Sequence, residues 1–314
     1  MHNKIELRKK ILTESYINGI YNTTKIEDRL GLKLNTIEYV IEKLKEEKLI
    51  IKERYLINLS HFKLNNFAWI FISVNWAEIN EKELLQKLTS LHYVHTISEI
   101  TGEYDIAIKV IGKSYEKLNE YVFEIEKILS NDLIDVQTYY SNKEIKSHYL
   151  KFEEIKNFPI KKMDNILILE KNNNPKISIL EIAKKYKFHR NTLSKRWIEL
   201  KNNKVILKKT VELSYEGYKF INLGLKAFVI IKTYPGKNEE IIKNLLNENK
   251  VQDVFTTLSN VLVAIIRAED SQELSIIHKR ISKFEAVKRT QTIIFLKKYT
   301  KSGITSRDLN LLTN

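Results

Sequence analysis

Two segments of the chain match each other without a gap at a distance of 156 residues. Residues 32–50 read LKLNTIEYVIEKLKEEKLI, and residues 188–206 read FHRNTLSKRWIELKNNKVI. Asn-Thr, Leu-Lys and a closing Lys-apolar-Ile coincide position for position. Because the offset is about half of the 314-residue chain, the repeat predicts a tandem duplication whose two halves fold alike.

Each half opens with helical periodicity and continues into a short β-prone run. The third helix of each half has an apolar face at spacings of four and three residues, formed by Ile37, Ile41 and Leu44, or by Leu193, Trp197 and Leu200. Residues 49–59 and 205–213 follow as predicted wings. Three helices and a wing predict winged helix-turn-helix domains over residues 1–62 and 163–221.

The rest of each half alternates strand and helix patterns in the order β-α-β-β-α-β. The predicted elements are 67–74, 81–88, 94–100, 106–111, 115–129 and 134–140, and then 225–233, 239–246, 251–258, 261–268, 272–283 and 286–296. This order is that of the ferredoxin-like unit, an antiparallel sheet with both helices on one face. The predicted fold class is therefore α+β, with two winged helix-turn-helix domains each followed by a ferredoxin-like βαββαβ domain.

The ferredoxin-like modules are predicted at residues 63–145 and 222–300, with a linker at 146–162 and a flexible tail at 301–314. Two helices cover only one face of strongly apolar strands such as 67–74 and 227–231. The other face also needs cover. We therefore expect the two modules of one chain to face each other, or to face an equivalent module of a second chain.

The basic excess of the chain lies entirely in its second half. Residues 1–150 carry 21 Lys and Arg against 22 Asp and Glu, whereas residues 151–314 carry 32 against 17. A generally lysine-rich composition would affect both halves alike. A localised excess of this size attracts polyanions, either nucleic acid or an anionic membrane surface.

The outward face of the third helix in the second half is rich in groups that bind DNA. In helix-turn-helix proteins this helix lies in the major groove, where Arg reads guanine, Asn reads adenine, and Ser and Lys hold phosphates. The predicted contacts on this helix and its wing are Arg190, Asn191, Thr192, Ser194, Lys195, Arg196, Lys208 and Lys209. Any one of them could be a solvated surface side chain, but the cluster favours double-stranded DNA as a partner.

The equivalent helix of the first half carries different side chains. Asn35 and Thr36 are retained and join the predicted DNA contacts, although Asn-Thr also begins helices for purely local reasons. Glu38 and Glu42 add carboxylates to the same surface, and carboxylates repel phosphates. We therefore predict that the second helix-turn-helix is the main DNA reader and that the preferred DNA site is asymmetric.

A turn in the first half carries the sharpest resemblance to a known family. Residues 100–105 read ITGEYD, which resembles the Thr-Gly-x-Tyr-Asp turn between the second and third strands of the Lrp/AsnC (feast/famine) regulators. The order of domains resembles that family twice over. The resemblance implies a transcription regulator whose modules pair through their sheets, as a homo-oligomer or as an intrachain pseudo-dimer.

The same resemblance implies a small effector, commonly an amino acid, bound near this turn. The implied site residues are Thr101, Gly102, Glu103, Tyr104 and Asp105. The second half departs from the motif, since residues 258–262 read LSNVL without the Gly, Tyr or Asp. The first half should then hold the polar part of any effector site. The alternative is that Gly102 only permits a tight hairpin turn.

Other functional classes receive little support from the residues. The chain has no cysteine, and it lacks a Gly-rich phosphate loop, a His-Glu-x-x-His run and a Gly-x-Ser-x-Gly elbow. His92 and His95, three apart in a predicted strand entry, would point to opposite faces. We therefore assign no catalytic residue, no metal ligand and no cofactor. No run of about eighteen apolar residues and no signal-peptide core is present, so we expect a cytoplasmic protein with no membrane partner.

Two alternatives remain open at this point. Siroheme decarboxylases resemble the same architecture in paired or fused copies, with a vestigial helix-turn-helix and a porphyrin among the sheets. The basic second half and its third helix argue against that enzyme. The other alternative is a scaffold that recruits related subunits through its sheets without binding DNA.

Overall fold

The computed structural model describes residues 2–19, 23–64, 66–77, 79–151 and 158–299, so the predicted tail lies outside the described residues. The elements of the first half are α1 (His2–Glu14), α2 (Thr23–Leu30), α3 (Leu34–Glu46), β1 (Ile50–Ile57), β2 (Asn66–Val74), α4 (Glu81–Ser90), β3 (Val94–Ile100), β4 (Ile106–Gly112), α5 (Tyr115–Leu129), β5 (Leu133–Ser147) and β6 (Leu150–Lys151). A π-helical turn, Ser15–Gly19, follows α1.

The second half repeats this order with two differences. Its elements are α6 (Lys162–Asn173), α7 (Ile179–Tyr186), α8 (Arg190–Asn202), β7 (Ile206–Leu213), α9 (Tyr215–Phe220), β8 (Leu225–Thr233), α10 (Asn238–Asn247), β9 (Val251–Thr257), β10 (Val261–Ala268), α11 (Ser271–Ser282) and β11 (Val287–Lys298). The differences are an additional short helix, α9, after β7 and no counterpart of β6 among its described residues. The predicted α+β class, with a winged helix-turn-helix and a βαββαβ unit in each half, is confirmed.

Local sequence sets the helix-turn-helix of the second half. The Ser178 hydroxyl accepts a hydrogen bond from the Glu181 N–H at 3.1 Å, and the Glu181 carboxylate accepts one from the Ser178 N–H at 2.7 Å. This reciprocal cap begins α7 and satisfies two donors that a helix start leaves unpaired. Lys187 ends α7 in the left-handed region, and α8 then buries Leu193 and Leu200 completely. The face of α8 that carries Arg190, Asn191 and Lys195 points outward.

The two helix-turn-helix domains pack together as one unit. We call residues 2–62 the first reader and residues 158–224 the second reader. β1 and β7 pair antiparallel in a two-stranded sheet, with Tyr55 opposite Lys209 and Glu53 opposite Val211. Among the described residues the predicted wings are therefore not separate hairpins. Each reader supplies one strand, whose backbone groups the other reader satisfies.

Close backbone packing holds the two readers against each other. The Thr210 hydroxyl, on β7, donates to the carbonyl oxygens of Ser15 and Tyr16 at 3.0 and 3.1 Å. Gly217, in α9, passes so near the start of β1 that an added Cβ would lie 2.2 Å from the Leu49 carbonyl oxygen. Because any larger residue would have to displace that backbone, glycine is required at this position.

The two ferredoxin-like domains form the other unit. We call residues 66–151 the first module and residues 225–299 the second module. Their strand orders are β5-β2-β4-β3 and β11-β8-β10-β9, and β3 also pairs with β11 while β9 pairs with β5. These antiparallel pairings join the strands into a closed ring, with β6 added beside β5. The expectation that the two modules face each other is confirmed.

Alternation along the strands gives each module an outer and an inner face. The outer faces pack under the helices of their own module, as Ile70 does in the first and Val229 in the second. The inner faces carry aromatic rings, and the rings of Trp69 and Phe71 lie 4.7 and 4.9 Å from the ring of Phe228. All three rings are almost completely buried. Both faces of the apolar strands are thus covered within one chain.

The end of the first module departs from the prediction. β5 continues to Ser147, beyond the predicted strand end at residue 140, and returns through β6. Residues 146–151 therefore belong to the sheet rather than to the predicted linker. The cause is long-range, because the edge of β9 offers backbone partners to β5, with Ser141 opposite Thr257 and Lys146 opposite Val254.

Candidate nucleic-acid interface

The outward face of α8 carries most of the predicted DNA contacts. The side chains of Arg190, Asn191, Thr192 and Lys195 are exposed, and that of Ser194 is partly exposed. These residues occupy the first two turns of the helix, and its N-terminal end is favourable for anions. The structure therefore brings together a guanidinium, an amide, two hydroxyls and an ammonium on one accessible surface.

Two further cations beside this surface were missing from the sequence prediction. Lys184, in the last turn of α7, and Lys187, in the turn before α8, are both exposed. Their relevance comes from the helix-turn-helix geometry, in which the turn lies beside the recognition helix. Their signal in the sequence is their position immediately before the third-helix pattern.

The prediction for Arg196 requires correction, because this side chain is buried inside the second reader. Its Nε and Nη2 atoms donate to the two carboxylate oxygens of Asp164 at 2.7 and 2.8 Å, and Nη1 donates to Glu199 at 2.9 Å. Nη2 also donates to the Pro159 carbonyl oxygen, and the guanidinium stacks over Phe158 at 4.4 Å.

Arg196 is therefore a clamp between α8, α6 and the segment that enters the second reader. It is 6% exposed, and Asp164 is 0% exposed. These hydrogen bonds, that to Asp164 first, raise the pKa of the guanidinium above its ordinary value. A group held in this way cannot reach DNA without breaking a buried ion pair, which costs several kcal/mol, roughly 3–5.

The predicted wing cations, Lys208 and Lys209, also face inward. The Lys208 ammonium donates to the Ile17 carbonyl oxygen of the first reader. The Lys209 ammonium lies 2.8 Å from a carboxylate oxygen of Glu53, also in the first reader. Burial lowers the pKa of Lys209, although Glu53 acts in the opposite direction. These two lysines join the readers, so we withdraw them from the DNA-contacting set.

The first reader presents a different surface on α3. Asn35, Thr36, Glu38, Tyr39 and Glu42 are all exposed. The Glu42 carboxylate lies 2.9 Å from the ammonium of Lys45 and 3.3 Å from that of Lys176. The hydrogen bond from Lys45 is the main reason that the pKa of Glu42 lies below its ordinary value. The carboxylates of α3 thus face the solvent where the equivalent positions of α8 hold the hydroxyl of Ser194 and the apolar side chain of Ile198.

The turn between β3 and β4 holds the residues that the resemblance assigns to an effector. Gly102 has φ +118°, a conformation that favours glycine, and is exposed together with Glu103. The Asp105 carboxylate accepts hydrogen bonds from the Val74 N–H at 2.9 Å and from the Ser73 hydroxyl at 3.2 Å. Asp105 therefore fastens the turn to the end of β2, which is a structural role.

The other members of this turn are held by the second module and by the inner aromatic rings. The Thr101 N–H donates to the Ile294 carbonyl oxygen at 2.9 Å, and the Glu103 carboxylate accepts from the Gln291 amide at 3.0 Å. Tyr104 is buried, and burial raises its pKa to about 12. Among the five predicted residues, Glu103 has an exposed polar side chain, and Thr101 and Asp105 have partly exposed ones, of which that of Asp105 is held by β2.

The histidines singled out in the sequence are not brought together. His92 is exposed, and the His95 ring nitrogen lies 3.0 Å from the neighbouring Thr96 hydroxyl. Within the described ranges, no group of three or more His, Cys, Asp or Glu side chains could hold a metal ion. None of the described helices is long and apolar enough to cross a membrane.

Comparison with known proteins gives relatives of one kind. No protein-family profile matches the chain. The HTH-type transcriptional regulator FL11 of Pyrococcus abyssi is 29% identical over 138 residues, which cover 44% of this chain and 88% of that protein. The HTH-type transcriptional regulator FL11 of Pyrococcus horikoshii is 27% identical over 145 residues, 46% of this chain and 94% of that protein. Each relative therefore corresponds in length to one copy of the repeat.

The helix-turn-helix and βαββαβ order is present twice, the TGEYD turn lies between β3 and β4, and the relatives are single-copy regulators of matching length. The chain is a tandem-duplicated relative of the Lrp/AsnC regulators.

A full-length structural likeness accompanies this Lrp/AsnC relationship. The crystal structure of the siroheme decarboxylase NirDL superposes with a TM-score of 0.64 over 99% of this chain and 97% of that chain, at 13% sequence identity. At that identity the likeness establishes a shared fold and nothing about activity. The fold of the whole chain is thus shared with at least one other solved protein.

Proposed function

We propose that this protein binds double-stranded DNA as a transcription regulator, with α8 of the second reader as the main contact. The observation that carries the proposal is the accessible set on α8, formed by Arg190, Asn191, Thr192, Ser194 and Lys195. The regulator relatives support the same function. Relative to the sequence prediction, Arg196, Lys208 and Lys209 leave the contact set and Lys184 and Lys187 join it.

Each of these groups has a distinct role in the proposed complex. Arg190 and Asn191 have the side-chain geometry for bidentate contacts to guanine and adenine edges. Lys184, Lys187 and Lys195 would bind phosphates and release counterions, so that log affinity falls with log salt by about 0.9 for each phosphate contact. Binding should therefore be steep in salt concentration, with sequence preference arising mainly from the start of α8.

The test begins with fragments selected from random DNA by the purified chain. Affinity for a selected fragment is measured by fluorescence anisotropy at several salt concentrations. For Arg190→Ala/Lys195→Ala we expect about a 10- to 100-fold loss and a shallower salt slope. Lys237→Ala/Lys243→Ala is the matched control, because both lysines are exposed in the second module. Wild-type affinity in a folded α8 variant would refute the proposed contact.

The two readers should contribute unequally to the complex. Asn35 and Thr36 remain proposed contacts of the first reader, but they stand beside Glu38 and Glu42 on α3. Repulsion between carboxylates and phosphates weakens this side. We therefore expect an asymmetric selected site, and Asn35→Ala/Thr36→Ala should cost less affinity than the α8 variant. A palindromic site with equal losses would show two equally active readers.

Control by a small effector such as an amino acid is the finer part of the proposal. Thr101 and Glu103, with the Gly102 backbone, are the accessible polar groups of the turn that β2 does not hold. An effector can change DNA affinity only if it binds one arrangement of the protein better than another. Calorimetric titration with the common amino acids, on wild type and on Thr101→Val, tests for binding at this turn. Equal binding by both proteins would move the site elsewhere.

The siroheme decarboxylase alternative is not favoured. Its support is a likeness of fold at 13% identity, whereas the inner faces between the modules are filled by Trp69, Phe71 and Phe228 in direct ring contact. An absorbance titration with siroheme would reveal saturable binding if this alternative were correct. The selection from random DNA distinguishes a DNA-binding regulator from a scaffold without DNA affinity, because a scaffold would enrich no fragment.

A further inference from the structure

One end of the closed ring of strands contains cations on its inner face. Alternation assigns Lys226 and Arg267 to that face, because their neighbours Ala227 and Ile266 pack in the helix-side core of the second module. Lys226 and Arg267 lie directly opposite each other on β8 and β10. The Lys226 ammonium also stands 4.1 Å above the centre of the Phe295 ring, on the neighbouring strand β11.

The carboxylate of Asp253 acts on the charge of Lys226, but it is already hydrogen-bonded. Asp253 accepts a hydrogen bond from the His148 N–H at 2.8 Å and another from the Gln252 side chain at 2.7 Å. Gln252 in turn accepts from the Arg267 Nε at 2.8 Å. In the described part of the chain no carboxylate forms an ion pair with Lys226. Burial lowers the pKa of Lys226 well below its ordinary value, and Arg267 lowers that pKa further.

A buried hydroxyl on the adjoining strand is also unsatisfied. Ser98, on β3, is 1% exposed, and its hydroxyl has no hydrogen-bond partner among the described residues. Its neighbour Ile97 packs in the helix-side core, so Ser98 faces the inside of the ring. β3 pairs with β11 here, Ile100 lying opposite Phe295. Ser98 is thus two residues along β3 from the strand position that faces the Phe295–Lys226 contact.

The equivalent position on the opposite side of the ring provides an internal control. β2 and β8 are nine-residue strands in equivalent positions, which places Phe67 where the second module has Lys226. Phe67 is paired with Ile111 in the same way that Lys226 is paired with Arg267. An apolar pair therefore suffices to build this part of the sheet. A lysine at this position costs free energy that packing alone does not require.

From these observations we propose that Lys226, Arg267 and Ser98 form a binding site for a small oxyanion, a carboxylate or a phosphate, inside the ring at the end where β8 begins. The anion would pair with the Lys226 ammonium, offset its repulsion from Arg267 and accept a hydrogen bond from the Ser98 hydroxyl. This site is distinct from the turn at residues 101–105 and from the DNA-binding surface, so its test does not depend on either.

The test is thermal unfolding of the full chain in sodium acetate or sodium phosphate, with sodium chloride holding the ionic strength constant. For wild type we expect at least one of the two anions to raise Tm by a few degrees. This is on the order of the shift that a ligand produces at about ten times its Kd. Lys226→Met should lose this increment, and Lys226→Arg should keep it. Lys232→Met is the matched control, since Lys232 is an exposed lysine on the same strand.

The two salts identify the class of anion. A rise in Tm with acetate alone points to a carboxylate, and a rise in Tm with phosphate alone points to a phosphate. Either response supports the site when Lys226→Met abolishes it. Equal shifts in wild type and Lys226→Met would mean a general ionic effect, and no shift in wild type would mean a purely structural lysine. Both of these results overturn the proposal. Lys226→Met should also unfold at a higher Tm than wild type without added anion, because the unpaired cation is gone.

Discussion

The first and second readers share one backbone plan, yet a single helix position is used in opposite ways. Position 40 in α3 is a valine that packs in the core of the first reader, 7% exposed. The equivalent position in α8 is Arg196, which is equally buried but fully engaged with Asp164 and Glu199. The comparison shows that a basic residue on a recognition helix is informative only when its partners are known.

The largest contrast should appear in stability. Arg196→Ala leaves the Asp164 carboxylate buried without its partner, so we expect a loss of about 3–5 kcal/mol in the free energy of unfolding. Val40→Ala at the equivalent position removes only apolar contacts and should cost about 1–2 kcal/mol. Urea unfolding followed by circular dichroism measures both. Similar losses would mean that the Arg196 clamp contributes no more than ordinary packing.

The strands β1 and β7 form the seam between the readers. Its contribution to stability can be tested by exchanging the charges of one ion pair. Glu53 and Lys209 are equivalent positions of the two halves, 156 residues apart, and they pair at 2.8 Å with side chains 7% and 11% exposed. Glu53→Lys or Lys209→Glu places like charges together and should cost about 2–4 kcal/mol. The double exchange should recover much of this loss. A double variant no more stable than the singles would show that the pair does not couple the readers.

The acidic face of α3 can be converted toward that of α8. Glu38→Ser/Glu42→Ile copies the side chains of Ser194 and Ile198 onto the first reader, and we expect DNA affinity to rise about tenfold as phosphate repulsion is removed. Stability should change little, because Glu42 pairs only at the surface. Unchanged affinity, measured by anisotropy at low salt, would indicate that α3 does not approach DNA at all.

The smallest expected effect concerns an aromatic contact between the readers. Trp197 of α8 meets Tyr55 of β1 edge-on, with ring centres 5.2 Å apart. A double-mutant cycle with Trp197→Leu and Tyr55→Leu should give a coupling of about 0.5–1.5 kcal/mol. The equivalent of Trp197 in the first reader is Ile41, so Ile41→Leu with the same Tyr55 change is the control. A coupling free energy near zero for Trp197 would show that its contact with Tyr55 does not stabilise the packing of α8 against β1.

The sequence predicted the elements well and their long-range contacts poorly. β8 begins and ends at the predicted residues, because alternation and turn residues are local properties. The partners of Arg196, by contrast, are Pro159 and Asp164, more than thirty residues away along the chain. A local signal was nevertheless available, because Arg196 lies three residues after Leu193 and four before Leu200, on the apolar face of the helix, whereas Lys195 lies off that face.

Long-range contacts also limited the prediction of the β1–β7 seam. Each strand was predicted as part of a wing, but its actual partner lies in the other half of the chain, with Tyr55 opposite Lys209. Pairing of this kind depends on which strand edges remain unsatisfied after each domain folds. The resemblance to the Lrp/AsnC regulators predicted paired modules, whereas the paired readers became visible only in the structure.

The closed ring of strands changes how this protein responds to dilution. In a regulator assembled from separate subunits, the population of complete rings falls as the subunit concentration falls. Here β3–β11 and β5–β9 join the two modules of one polypeptide, so ring closure is an intramolecular step governed by the effective concentration of tethered halves. The pairing of the two modules therefore does not depend on the concentration of the chain.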